Sequence, residues 1–221
     1  MNVTLIGFSP DPEKIPAMAA KLTHSKTKPE DLDKTLNKEL KAILGQVVSL
    51  GHTSVVEHAS FTFAISDVSR SLTHQLVRHR IASFSQQSQR YVNLNESNYV
   101  TPPKIAKNKQ MKKAYDQTMK MIWKEYNKLL EMNIPAEDAR YVLPNATCTN
   151  IIVTMNARSL LNFFELRCCL HAQWEIRTLA NLMLKEVKKA APTIFKNAGP
   201  LCKSKKVCPE NKKGCPLYPK K

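Results

Sequence analysis

The chain has 221 residues, 43% of them hydrophobic, and its 34 lysines and arginines against 18 acids give a formal net charge of +16. That is length enough for one domain with its own core, or two small ones. No apolar run approaches the roughly 20 residues of a membrane span, and Met1–Phe8 lacks the basic region and cleavage site of a signal peptide, so a cytoplasmic protein without membrane contact is expected.

In chain order, the opening residues to Phe8 read as a short strand, and Pro10, Pro12 and Pro16 punctuate a turn and a helix start. Over residues 30–50, Leu32, Leu36, Leu40, Ile43, Leu44 and Val47 recur at spacings of three and four and predict a helix. Residues 60–66 alternate between polar and apolar and predict a strand. Asp67 or Ser69 then caps a helix through Leu72, Leu76 and Val77, on which Gln75 and Arg78 share a face. Ser83, Ser85 and Ser88 read as a loop or short turn of hydroxyl donors, and residues 91–94 as a second strand continuing toward Tyr99. A long amphipathic helix is expected over 104–132, ended by Pro135, with a short helix at 136–141. Residues 148–155 are β-prone, and 158–190 form a helical segment dense in Leu and Phe. Strands and helices mix without a βαβ rhythm. The expectation is an α+β fold, helices packed around a small, largely antiparallel sheet, with residues 1–200 as one domain and 201–221 as a Lys/Cys-rich tail.

The five glycines are Gly7, Gly45, Gly51, Gly199 and Gly214, and no G-x-G-x-x-G or Walker loop can be built from them. Any phosphate must be held by side chains and helix ends. Lysine and arginine are segregated: lysine is absent from 42–103 and 129–184, and every arginine lies in those two segments. Lysine reads as solvated charge on outer helices and tail, arginine as the fixed bidentate donor of a site.

The densest donor set is Arg78–Tyr91, with three arginines, one histidine, three serines and three glutamines and no acid. Something anionic and oxygen-rich, phosphate above all, is expected there. His52, His58, His74 and His79 match no common zinc spacing. Cys148, Cys168 and Cys169 read as reduced core residues. Cys202, Cys208 and Cys215 lie in the tail without tight pairs or a fourth ligand, so no metal is expected.

A second cluster runs from Asn156 to Arg167 and on to Glu175. Arg158 and Asn162 are i,i+4 neighbours able to grip one ligand, whereas Arg167, nine residues beyond Arg158, is half a turn out of phase. Either the helix breaks between them, or they serve different parts of sites shared between subunits, and the second is the reading preferred.

These residues carry a resemblance. Arg78-His79-Arg80-x-x-Ser83-x-x-x-x-Ser88-x-Arg90 resembles the RHRxxSxxxxSxR signature of the flavin-dependent thymidylate synthases. Gly51-His52-x-x-x-x-Glu57-His58, Ala139-Arg140-x-Val142-Leu143-Pro144, Asn156-Ala157-Arg158-Ser159-Leu160-x-Asn162-Phe163 and His171-Ala172-Gln173-Trp174-Glu175-Ile176 are similar to that family in type and order. The resemblance implies dTMP made from dUMP, with 5,10-methylenetetrahydrofolate as carbon donor and NADPH reducing a bound FAD. It also implies a homotetramer with active sites at subunit interfaces. Carried over by position, Ser54, Arg78, His79, Arg80, Gln86, Asn156, Arg158, Asn162 and His171 are implied for FAD. Gln75, Leu76, Val77, Arg78, Gln86, Gln87, Ser88, Gln89, Arg90, Arg140 and Arg167 are implied for dUMP, with Arg167 as the catalytic group. Position 86 is Gln where some members carry Glu.

Two alternatives are weighed against this. A folate-reducing thymidylate synthase needs an activated cysteine, and nothing local marks Cys148 as one. A basic nucleic-acid-binding protein would mix lysine and arginine on one face among exposed aromatics, and here they are kept apart, so no nucleic-acid partner is expected.

Overall fold

The computed structural model describes residues 1–33 and 39–219. The described residues form an α+β fold with a small antiparallel sheet of strand order β1-β2-β4-β3. The strands are β1 (Asn2–Phe8), β2 (Ser60–Ser69), β3 (Ser83–Gln86) and β4 (Cys148–Asn156). The helices are α1 (Lys14–Leu22), α2 (Leu40–Ser49), α3 (Arg70–Leu76), α4 (Pro103–Ala106), α5 (Lys109–Glu131), α6 (Ala136–Ala139), α7 (Ala157–Arg167), α8 (Trp174–Ala190) and α9 (Leu201–Ser204).

The chain clusters into two compact units. The first comprises Met1–Asn2, Ile65–Arg78 and Phe84–Ile152; the second comprises Val3–Ala64, His79–Ser83 and Val153–Lys221. Both long strands therefore contribute residues to each unit.

In the first unit, α5 buries Met119, Trp123 and Tyr126, and α3 buries Leu72 and Leu76. Ser69 opens α3 by accepting a hydrogen bond from the Leu72 amide, one of the two caps expected. Residues 91–94, expected as a strand, are not one. Their backbone finds other partners: Trp123 Nε1 donates to the Leu94 carbonyl at 2.9 Å, and the Leu94 amide donates to Tyr126 Oη at 3.4 Å. With those groups satisfied by α5 side chains, no ladder is needed. The strand lies earlier, at Ser83–Gln86, where Ser83 and Ser85 are exposed and Phe84 and Gln86 are half-buried. That two-residue alternation was hidden by reading the serines as loop donors.

In the second unit, Phe61 of β2, Phe163 and Phe164 of α7 and Phe195 are fully buried. Phe195 meets Phe61 edge-on at 5.4 Å and Phe164 at 6.0 Å between centroids. Each such ring contributes on the order of 1.5–3 kcal/mol through burial. The Glu13 carboxylate accepts from the Thr193 hydroxyl at 2.8 Å and the Ile194 amide at 3.2 Å, tying the start of α1 to the segment after α8. The helix expected over 30–50 is present as α2 and a short 3-10 turn at Pro29–Asp31; Leu36 lies outside the described residues. The helical segment expected over 158–190 is two helices. Gln173 separates them, its side-chain oxygen accepting from the Glu175 and Ile176 amides at the start of α8.

Candidate active site

Arg167, the last residue of α7, is half-buried in the second unit. Its Nε donates to Nε2 of His79 at 3.1 Å. The accepting nitrogen carries a lone pair, so the imidazole is neutral with its proton on Nδ1. Phe163 stands edge-on to that imidazole, 4.9 Å between centroids at 83°. Burial, reinforced by the neighbouring Arg167 charge, pushes the His79 pKa down to about 4. Burial also draws the Arg167 guanidinium below its ordinary value, though from a starting point so high that it stays charged at neutral pH. The acids nearest Arg167 in sequence are placed otherwise: Glu165 accepts from the Ser204 hydroxyl at 3.2 Å and Lys205 Nζ at 3.1 Å, and Glu175 is buried at the start of α8.

Three more of the implied flavin ligands of this unit lie on α7 or at its cap. Asn156 caps the helix, its Oδ1 accepting from the Ser159 amide at 2.8 Å. Arg158 and Asn162 follow, both exposed, and the helix runs unbroken from Arg158 to Arg167. Arg158 pairs with Glu57. Ser54 and Arg80 are exposed, and His171 lines a cavity of about 500 Å³ with residues 211–216.

In the first unit, Gln86 Nε2 donates to the hydroxyls of Thr73 at 3.2 Å and Thr149 at 3.3 Å. Gln87 and Asn150 lock together through Gln87 N to Asn150 O at 2.9 Å and Asn150 Nδ2 to Gln87 Oε1 at 3.1 Å. Ser88 Oγ accepts from the Arg90 amide at 3.2 Å, and Gln89 is half-buried beside it in sequence. Leu76 is fully buried and Val77 exposed. Helix α3 ends at Leu76, so Arg78 lies in the turn beyond it and does not share a helical face with Gln75. Gln75 instead turns back to donate to the Ser71 carbonyl at 3.4 Å.

Arg90, in a segment without an acid of its own, and Arg158 both acquire partners from distant parts of the chain. Arg90 Nε donates to Glu137 at 2.9 Å across a separation of 47 residues, and Glu57 is 101 residues from Arg158. Among the described residues, Arg78 and Arg80 make no ion pair. Glu137 also binds Arg140, whose Nε donates to its carbonyl at 3.0 Å. Arg70 was not singled out by motif; burial and the like charge of Arg140 hold its pKa below the ordinary value. Two guanidiniums that feel each other's charge favour an anion nearby. The only sequence signal for Arg70 was the absence of lysine around it.

Donor chemistry on both units suits phosphate-bearing ligands. Guanidinium, amide and hydroxyl donors dominate, and Glu57, Glu137 and Glu165 are each engaged with an arginine or a lysine. The residues implied for dUMP fall in the first unit except Arg167, and those implied for flavin fall in the second except Arg78 and Gln86.

Comparison with known proteins identifies the family. The family model described as "Thymidylate synthase complementing protein" matches residues 4–193. The flavin-dependent thymidylate synthase of Clostridium tetani is 49% identical, over 97% of this chain and 93% of its own length. That of Geobacter sulfurreducens is 48% identical, over 97% and 94%. In three dimensions the chain is similar to a UMP/dUMP methylase, PolB, from Streptomyces cacaoi, solved with 5-Br dUMP, at a TM-score of 0.77 and 24% identity over 88% of this chain and 93% of that one. At that identity the likeness speaks to the fold. The whole-length sequence matches speak to more: the chain belongs to the flavin-dependent thymidylate synthases.

Proposed function

We propose that the chain methylates C5 of dUMP to give dTMP, with 5,10-methylenetetrahydrofolate supplying the carbon and NADPH the electrons. The observation that carries the residue roles is Arg167, a charged guanidinium held by a neutral imidazole instead of by a carboxylate. An arginine neutralised by an acid has little field to offer a substrate; one held by His79 keeps its full charge in a half-buried, low-dielectric place.

Beside the uracil ring that charge stabilises negative charge developing at N3 and O2 and makes C5 electron-rich. C5 then forms a bond to the methylene carbon and loses its proton, the bond from that carbon to the folate nitrogen breaks to release tetrahydrofolate, and a hydride delivered to the added carbon makes it methyl. FAD, when bound, supplies that hydride after reduction by NADPH. The donor set fits it: Arg78 and Arg80 for the pyrophosphate, with Ser54, His79, Gln86, Asn156, Arg158, Asn162 and His171 as further contacts. Arg90, Arg140, Gln87 and Ser88 hold the dUMP phosphate and sugar, joined by Arg70 beside Arg140. Gln75, Leu76, Val77 and Gln89 complete the substrate set.

A homotetramer with active sites at subunit interfaces is part of the same reading. Ile81, Tyr91 and Tyr141, all within or beside the motif segments, are 75%, 79% and 84% exposed in the single chain, and large apolar groups left in water at a site are suited to burial by another subunit. The test is Arg167→Ala in the purified holoprotein. Loss of dTMP formation with flavin retained supports the role; wild-type turnover overturns it.

A further inference from the structure

Read from sequence, the tail cysteines lack a fourth ligand and suggest no metal. The fold supplies the missing thiol from outside the tail. Cys168, the first of the adjacent pair, is buried, but Cys169 is half-buried in the loop between α7 and α8. Leu170 and His171, next to Cys169, share one cavity wall with residues 211–216 and so with Cys215. Cys208 opens the turn that leads to Asn211 in that wall, and Cys202 sits on α9, which Glu165 of α7 holds through Ser204 and Lys205. The four thus gather in one part of the second unit, and the other three thiols act electrostatically on that of Cys202. All are free thiols.

The tail is arranged around them. From Lys205 to Leu217 every residue is exposed except Cys208 and Cys215, so the cysteines are the points turned inward. Three of the four open a turn of the same kind: the Cys169 carbonyl accepts from the Ala172 amide, that of Cys208 from Asn211, and that of Cys215 from Tyr218. In the last two, proline follows the cysteine, as a type I turn favours. Glu165 on α7 anchors the fourth, taking Ser204 and Lys205 at the end of the short helix that bears Cys202. No residue from Leu201 to Pro219 is fully buried. A segment so poor in core, yet folded into defined turns, is the kind that a cross-link or a metal stabilises.

We propose that Cys169, Cys202, Cys208 and Cys215 form a four-thiolate site for a soft transition metal, an iron–sulfur cluster before a single zinc ion. Four thiolates select zinc or iron–sulfur centres over hard cations. Among the described residues no three His, Cys, Asp or Glu stand close enough together for a single ion, and a cluster spans more widely spaced sulfurs. Either centre carries net negative charge with four thiolates, and Lys203, Lys205, Lys206, Lys212 and Lys213 surround it in sequence with Glu210 as the one acid. Those lysines, unexplained by nucleotide chemistry, then offset the centre's charge. Cys169 follows Arg167 by two residues, so the centre would also anchor the end of α7.

The test is anaerobic purification of the full chain from cells supplied with iron and zinc, followed by assay of iron, acid-labile sulfide and zinc, for wild type, Cys208→Ser, Cys215→Ser and Cys148→Ser. Iron and sulfide in equal amounts, lost in both tail variants and kept in Cys148→Ser, is the expected result. Zinc with the same variant dependence upholds the four-thiolate site and overturns the cluster. Counting alkylated thiols in the folded wild type guards against misfolded variants: the four must be protected, and become reactive on chelation. Metal-free protein with these thiols all reactive, or paired in disulfides, overturns the proposal.

Discussion

Arg167 Nε points its hydrogen at Nε2 of His79, 3.1 Å away, across 88 residues of sequence. The contact joins a group implied for catalysis to one implied for flavin binding, and it gives His79 a positioning role that a cofactor contact alone would not.

Replacing His79 with Ala leaves Arg167 free to leave its working position. A misplaced catalytic group costs about 10²-fold, so kcat per bound flavin should fall by that order while the KM for dUMP changes little. His79→Gln, whose side-chain oxygen can still accept from Arg167, should recover part of the loss. Loss of flavin in place of kcat would assign His79 to the cofactor alone.

The same pair predicts a dependence of stability on pH. His79 titrates near 4 in the folded chain against 6.5 ordinarily, so between those values the unfolded state binds more protons. Its contribution is present above pH 6.5 and is lost as pH falls toward 4. Thermal melts of wild type and His79→Gln should therefore converge on acidification across that window; parallel curves would show that the imidazole is not held neutral.

Asn156 is committed to α7 whatever else it touches. Asn156→Ala removes the bond to the Ser159 amide and should cost about 1 kcal/mol of stability, read by denaturant unfolding of flavin-free protein. No loss of stability would leave flavin contact as its only role.

Arg90 and Glu137 separate charge from partner. Arg90→Ala should weaken dUMP binding roughly 10- to 100-fold, the worth of a charge-assisted hydrogen bond, with flavin affinity less affected. Glu137→Gln removes an exposed ion pair, changes stability by no more than about 1 kcal/mol and should leave dUMP binding intact. Calorimetric titration of both variants distinguishes a phosphate ligand from a merely structural arginine.

Much of the fold was legible because its signals are local. The alternation of residues 60–66, the Ser69 cap and the periodicity along α5 each follow from side-chain spacing within a few residues. The misreadings have a common cause in partners that come from far along the chain. Residues 91–94 join no strand: Val92 bonds back to the Ser88 carbonyl, and Trp123 and Tyr126 take the backbone groups of Leu94. The Arg78–Tyr91 segment holds no acid, and Arg90 gains Glu137 only on folding. Gln86 was a puzzle in the motif, and the structure gives it a donor's role toward Thr73 and Thr149, which a carboxylate could fill only by accepting from the same hydroxyls. Cys169 looked like core until its neighbours in space replaced its neighbours in sequence.

The most direct measurement is anaerobic dTMP formation by the purified protein given dUMP, FAD, NADPH and 5,10-methylenetetrahydrofolate, with each component omitted in turn. Product that requires all four is the result expected. Product formed without flavin or NADPH, or none from a protein whose bound flavin is reducible, would contradict the proposed reaction.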